Sequence, residues 1–327
     1  MSHLILATNG LAAGTLRQAG MMNVVLGFCL RFVWGRLPSE EQLVMGLEPR
    51  SAKHCNIGDH WLDDVQKCQL KGFGTRDIGF FELCEKFDSI EVWVDPQPND
   101  QLVLVWLLNL LRPYKEITTK LSLVHTDDAV AGYQPESVVE WKLPAFKVAD
   151  SHLTLASRAW RAWRAPTPEP WFDLLAKDLT ILPRLRSAVI TMLAELPDVQ
   201  SGLGENEMGM LGWIEDEGTE PREVLRAVEY REVFDELEAG ELLRALAQGP
   251  APAIIELGEV PLDTSEEARP YPFRGGRIAL TELGRAIMAG EEDFSRHSSI
   301  HRWWGGTELT NERLWRWDPK SRSLVAP

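Results

Sequence analysis

The first 125 residues switch repeatedly between short apolar runs and helix-period patterns, a rhythm that predicts βαβ units and a mostly parallel sheet. His3–Thr8 (HLILAT) reads as a strand, and after the turn Asn9-Gly10 a short helix spans Ala12–Ala19. Asn23–Phe28 is a second strand. Ser39 opens a helix with Glu40 and Glu41 in its first turn, where they complement the helix dipole. Thr75–Phe87 carries Ile78, Phe81, Leu83 and Phe87 on or near one face. In Asp88–Leu111 the apolar run Ile90–Val94 stops at Asp95-Pro96, and Asn99 or Asp100 is placed to cap a helix that is apolar nearly all round from Leu102 to Leu111. Lys120–His125 is a further strand. Strands with few polar positions feeding wholly apolar helices belong to a sheet covered on both faces.

The pattern changes near residue 150. Ser151 is placed to cap the helix LTLASRAWRAW, which Pro166, Pro168 and Pro170 end. We therefore expect a Rossmann-like α/β domain over residues 1–150, a helix and Pro-rich linker over 151–170, and a mainly helical domain over 171–327. Helices at Trp171–Lys177, Arg184–Leu196, Glu205–Glu217, Pro221–Tyr230 and Asp235–Ala247 precede two β candidates, Ala253–Leu257 and Gly276–Leu280. Thr281 then caps a helix ending at Gly290. About three helices, a two-stranded ribbon and a closing helix predict a winged-helix-like outline. The tail holds Trp303, Trp304, Trp315 and Trp317, which read as core of this domain or as an interdomain seal.

Composition narrows the class. No apolar run approaches the ~20 residues of a membrane helix. The N-terminus lacks the pattern of a secretory leader, and Cys29, Cys55, Cys68 and Cys84 form no CxxC pair, so a reduced, cytoplasmic protein is expected. The net charge of −15 is concentrated: residues 201–270 hold 18 Asp/Glu against 5 Arg and no Lys, a balance of −13. Such a segment repels phosphates. The helix that a winged-helix module would send into a groove, Phe234–Ala247, carries Asp235, Glu236, Glu238 and Glu241 against Arg244 alone, so DNA binding through it is not expected. Arg158, Trp160, Arg161, Trp163 and Arg164 interleave bases and aromatics, but Trp160 and Trp163 are spaced to form a buried stripe with solvated arginines.

Four segments frame almost the whole chain and resemble the bacterial family called domain of unknown function 1835, in its longer two-domain form. They are HLILATNGLAAGTL, FVWGRLP at residues 32–38, EVWVDPQPNDQLVLVWLLNLL, and RIALTELGRAIMAG with RWWGGTELTNERLWRWD. The resemblance implies an α/β domain followed by a second domain. It names no activity. Where the family carries Gly-Asp after its first strand, this chain has Asn9-Gly10; where it carries paired acids before a Gly-Pro, this chain has Leu30-Arg31 and then Gly35-Arg36. Asp100 before Gln101-Leu102 matches a family Glu. The changed polar positions imply that any family chemistry is lost or altered here.

Open α/β sheets bind ligands beyond the carboxyl ends of their strands, which makes Asn9, Gly10 and Gly14 candidate binding residues at a helix start where backbone N–H groups can meet an anion. Arg31, Arg36, Asp95 and Asp100 leave neighbouring strand ends and are candidates for the same crevice, and His125 is the one histidine placed at that edge for acid–base work. Lys71-Gly72-Phe73-Gly74-Thr75-Arg76 has a phosphate-loop flavour without the Lys-Ser/Thr ending. Neither His54, Cys55, His60 and Cys68 nor the pair His297 and His301 has convincing zinc spacing, so no metal site is expected. There is no GxSxG elbow or other catalytic motif. The expectation is a domain that binds a small anionic or nucleotide-like ligand, through a cofactor or substrate the sequence does not name, coupled to a domain that contacts protein rather than DNA or membrane. The competing expectations are a purely structural interaction protein and a DNA-binding regulator, the latter opposed by the acidic segment.

Overall fold

The computed structural model describes residues 2–21, 24–55, 60–62, 77–214, 218–229, 233–257 and 276–327. In chain order the elements are β1 (His3–Ala7), α1 (Gly10–Gln18), β2 (Val24–Gly27), α2 (Glu40–Met45), α3 (Phe80–Glu85), β3 (Ser89–Val94), α4 (Pro98–Leu111), α5 (Lys115–Thr118), β4 (Leu121–His125), α6 (Pro135–Val139), β5 (Phe146–Lys147) and α7 (Asp150–Trp163). There follow α8 (Glu169–Phe172), α9 (Leu185–Ala194), α10 (Glu205–Gly212), α11 (Pro221–Glu229), α12 (Glu236–Ala247), β6 (Ile254–Leu257), β7 (Arg277–Leu280), α13 (Glu282–Met288), β8 (His301–Trp304), β9 (Thr307–Thr310), β10 (Arg316–Asp318) and β11 (Ser323–Val325). Two compact units result: Met1–Phe32 with Leu37–Arg161 and Asp178–Ala188, and Val33–Arg36 with Ala162–Lys177 and Val189–Pro327. Residues 151–161, expected as the helix that precedes the Pro-rich boundary, belong to the first unit.

The first unit is an α/β fold with a parallel core. Its five strands lie in the order β2-β1-β3-β4-β5; the first four are parallel and the two-residue β5 closes the edge antiparallel to β4. The chain leaves β1 toward β2 on one side and resumes at β3 on the other, so β1 and β3 flank the point where the winding reverses. On one face Ile5, Ala7, Val25, Trp93 and Val124 pack with Ala12, Ala13 and Leu16 of α1 and Val138 of α6. Small residues set that approach: a Cβ on Gly27 would lie 2.7 Å from both Ala13 Cβ and Asn9 O. Leu4, Leu6, Val24, Ile90, Val92 and Leu123 alternate to the other face and are equally buried.

The apolar helix α4 is buried along its length apart from Asn109 and Leu110. Each of its fully buried leucines contributes about 2 kcal/mol of transfer free energy. The helix starts earlier than expected. Gln97 is the N-cap and Pro98 the first helical residue, a position where its missing N–H costs nothing. Asn99 is therefore no cap; its side chain accepts from Phe32 N at 2.8 Å and donates to Leu30 O at 2.9 Å, holding the loop after β2. Ser39, expected to open this helix, caps α2, and Gln42 completes a reciprocal capping box.

In the second unit, α10, α11 and α12 precede the antiparallel pair β6–β7. Thr219, before α11, forms an isolated antiparallel bridge with Ile278 of β7, with both N–H···O distances 2.9 Å. Two further hairpins, β8–β9 and β10–β11, fold the tail that the sequence reading left as an aromatic cluster. His301 begins β8 and His297 follows a single 3-10 turn, so the two histidines share no helix face: His297 is bonded to Glu292 and His301 to Glu308. A Gly305-Gly306 turn joins β8 to β9: Gly305 has φ +56°, and a Cβ on Gly306 would lie 2.2 Å from Arg164 O, so the turn needs glycine at both positions. No helix among the described residues is long and apolar enough to cross a membrane.

Candidate functional site

Three strand ends meet beside the point where the winding reverses. Thr8 and Asn9 follow β1, Asp95 follows β3, and Thr126 follows β4. Asp100, in the first turn of α4, points back to the same place. Asp95 and Asp100 are 2% and 5% exposed, so two carboxyl groups sit side by side out of solvent. Asn9 spans them, donating through Nδ2 to Asp95 Oδ2 at 3.1 Å and to Asp100 Oδ1 at 2.7 Å. Its Oδ1 meanwhile accepts from Ala12 N at 2.7 Å and caps α1. Asp95 also accepts from Thr126 Oγ1 at 3.1 Å and from Val130 N at 3.2 Å, and the Thr8 hydroxyl donates to Asp100.

Burial raises the Asp95 carboxyl above its usual range against the pull of these donors. Burial, and then the charge of Asp95, push Asp100 up to about 7, while Thr8, Asn9 and Arg31 act the other way. The pair thus holds a proton near neutral pH. Its visible donors come from the protein itself, and α1's first turn is occupied by the Asn9 side chain, so this cluster repels an anion and ties three loops together.

The nearby open space lies at the neighbouring strand. A cavity of about 330 Å³ extends from the end of β2, walled by Gly27, Cys29, Gln42, Leu43, Trp61 and Trp106 among others, with no charged side chain in its described lining. Cys29 is an exposed thiol, and a Cβ on Gly10 would lie 3.1 Å from its Sγ. Trp106 is 1% exposed, yet its indole Nε1 has no hydrogen-bond partner among the described residues. An orphaned donor on a cavity wall is what a ligand acceptor or an ordered water would satisfy.

Of the residues singled out from sequence, Asn9, Asp95 and Asp100 are brought together, with Arg31 near enough for its charge to act on Asp100. Gly10 sits under Cys29. Gly14 meets nothing closer than Arg17 at 3.8 Å and needs no close approach. Arg36 is not gathered with them: it belongs to the second unit, where its guanidinium lies 5.3 Å over the Trp303 ring. His125 ends β4 as expected, but it is Thr126 that reaches Asp95. Burial, then His152 and Arg184, lower His125 to about 4, so it is neutral at pH 7, with a buried Nδ1 lacking a partner. His54 and His60 spend their Nε2 positions on the Met45 and Glu48 carbonyls at 2.9 Å, and no group of three metal-type side chains gathers among the described residues. Cys68 and the loop 71–76 lie outside the described residues. Sequence reasoning missed Thr8, Thr126, Cys29, Gln42 and Trp106; a Thr directly after each of two strands was the available signal, whereas Trp106 was hidden inside an apolar run.

No protein-family model and no curated protein matches the chain. Among solved structures it is similar to the crystal structure of the Plasmodium falciparum topoisomerase II DNA-binding, cleavage and re-ligation domain, at 12% identity and a TM-score of 0.42. That match covers 100% of this chain and 54% of the other, so the chain spans about half the length of the structure it matches. A likeness of this degree carries no argument about activity.

Proposed function

We propose that the first unit binds a small, uncharged, largely apolar molecule beyond the carboxyl end of β2. The observation that carries this reading is a cavity of about 330 Å³ whose described lining holds no charged side chain and includes Trp106, its indole N–H without a partner among the described residues. Its size falls at the lower end of small-molecule pockets, and its position is one where open α/β sheets hold ligands. This departs from the anionic or nucleotide-like ligand expected from the sequence, because the strand-end acids disfavour phosphate and the described lining offers no base. In a ligand-observed NMR screen of neutral and phosphate-bearing fragments, neutral fragments should bind the full chain, and Leu43→Trp, which fills the cavity, should abolish that binding. Hits that survive Leu43→Trp, or a preference for phosphates, would place the ligand elsewhere.

For the second unit we infer a winged-helix-like element that contacts protein. Supporting it is the order helix, bridge, helix, helix and ribbon, with Thr219 adding a third extended position beside β7. DNA is disfavoured because α12 is largely buried: Leu237 and Ala245 are its exposed positions, Arg244 is 5% exposed, and Asp235 and Glu238 form its capping box. No base on α12 is available to neutralise phosphate. A gel shift with the full chain at low salt should show no complex; salt-sensitive duplex binding would overturn this reading.

A further inference from the structure

The second unit contains its own cavity, of about 230 Å³, independent of the one in the first. Aromatic side chains dominate its wall: Trp34, Phe234, Trp303 and Trp304. Trp34 meets Phe234 edge-on at 5.6 Å, and Trp304 is fixed by donating its Nε1–H to Met192 O at 2.6 Å. Three polar side chains, Glu195, Arg302 and His301, also line it, the last bonded to Glu308 at 3.0 Å.

Their wiring leaves one donor over. Arg302 Nη1 donates to Glu207 Oε2 at 2.8 Å, and the same Glu207 oxygen accepts from Gly204 N at 2.8 Å. Arg302 Nη2 is buried without a hydrogen-bond partner among the described residues. A guanidinium presents paired N–H groups that match the two oxygens of a carboxylate, and here half of that match is unused. Glu195 is bonded to Asn206, whose Nδ2 lies 2.5 Å from Glu195 Oε1. Burial, joined by the charge of Glu207, pushes the Glu195 carboxyl up to about 8 against the pull of Asn206 and Arg302. At pH 7 it is therefore mostly protonated, and a protonated carboxyl is a donor.

We propose that this cavity is a binding site for a small planar aromatic carboxylate, its ring held among Trp34, Phe234, Trp303 and Trp304 and its carboxylate directed to Arg302 and Glu195. The aromatic walls select a flat ring, since offset and edge-on ring contacts add to the area buried. The carboxylate meets a fixed cation and a neutral acid. Glu207 lies behind Arg302 and already shares its charge, so recognition depends on the unused N–H edge rather than on a free charge.

Isothermal titration of the full chain with indole-3-carboxylate, and with its neutral isostere indole-3-carboxamide, tests the assignment. The acid should bind saturably with one site per chain and at least tenfold more tightly than the amide. Arg302→Lys keeps a cation for Glu207 while removing the paired N–H edge, and should erase the preference for the acid. Met192→Trp fills the cavity and should abolish binding of both compounds. Glu195, faced by Glu207 and Asn206 of α10 and by Arg302 of β8, in a cavity whose wall also carries His301 paired with Glu308, should make the affinity fall at least tenfold between pH 6.5 and 9; Glu195→Gln, which keeps a donor and cannot ionise, should remove that fall, and His301→Gln should leave it in place. No saturable binding, equal affinity for acid and amide, or binding that survives Met192→Trp would each overturn the proposal.

Discussion

Each unit buries a pair of carboxyl groups, and the partners differ. Asp95 and Asp100 are held by neutral donors, namely two threonine hydroxyls, one asparagine amide and one backbone N–H. Glu207 has a guanidinium, and Glu195 beside it has only Asn206. In both places burial is the main cause that lifts one acid close to neutrality, Asp100 to about 7 and Glu195 to about 8. The comparison teaches that burying two acids fixes a proton in each place, while the cation stands differently: Arg31 acts on Asp100 through its charge, and Arg302 is hydrogen-bonded to Glu207. The aspartate pair closes on its own chain. The glutamate pair has a guanidinium edge to spare.

The harshest way to break that contrast is to remove the cation. Arg302→Met leaves Glu207, 4% exposed, as a buried charge without its ion pair, and should cost about 3–5 kcal/mol in urea unfolding at pH 7. A loss below about 1 kcal/mol would mean that the guanidinium does not govern the glutamate pair. The aspartate pair should respond to pH instead. The folded pKa of Asp100 lies above its ordinary 3.8, so its contribution is full at low pH and is lost as pH rises through about 7. Asp100→Asn removes that dependence, and its stability relative to the parent should improve by about 2 kcal/mol between pH 5 and 8. Parallel stability curves for parent and variant would show that Asp100 stays ionised. Thr8→Val is the mildest change. It deletes one donor to Asp100, should cost about 1 kcal/mol, and should move the pH response further up, because the hydroxyl favours the ionised acid.

What the sequence revealed follows from how local each signal is. β1, β3, β4 and α4 were legible because apolar period and Pro punctuation are local properties, and Asn9, Asp95 and Asp100 were legible because all three directly follow strands or open a helix. The tail hairpins carry a local signal too, HRWW and TELT around Gly305-Gly306, although the tryptophans of the tail read first as an aromatic cluster. The remaining site residues carry no local mark. Trp106 is one apolar residue among many, and its orphaned N–H exists only because its neighbours offer no acceptor. Glu195 and Arg302 are far apart in sequence and meet through α10, so neither has a neighbour in the chain that announces the other. The Asn99 cap assignment failed for a related reason: its partners, Leu30 and Phe32, lie in a loop whose course the pattern does not specify.

The burial of α4 also sets the order in which the chain can become safe from itself. Trp106 packs against Phe28 and Phe32, and Phe32 in turn against Trp160 of α7, with ring centres 4.9–5.8 Å apart. During synthesis α4 leaves the ribosome well before Trp160 does. At about 5–20 residues per second, a helix that is apolar nearly all round from Leu102 waits several seconds for the last of that aromatic chain. Chains truncated between α4 and α7 are therefore expected to leave that helix uncovered and to show a lower yield in the unaggregated fraction than the full chain.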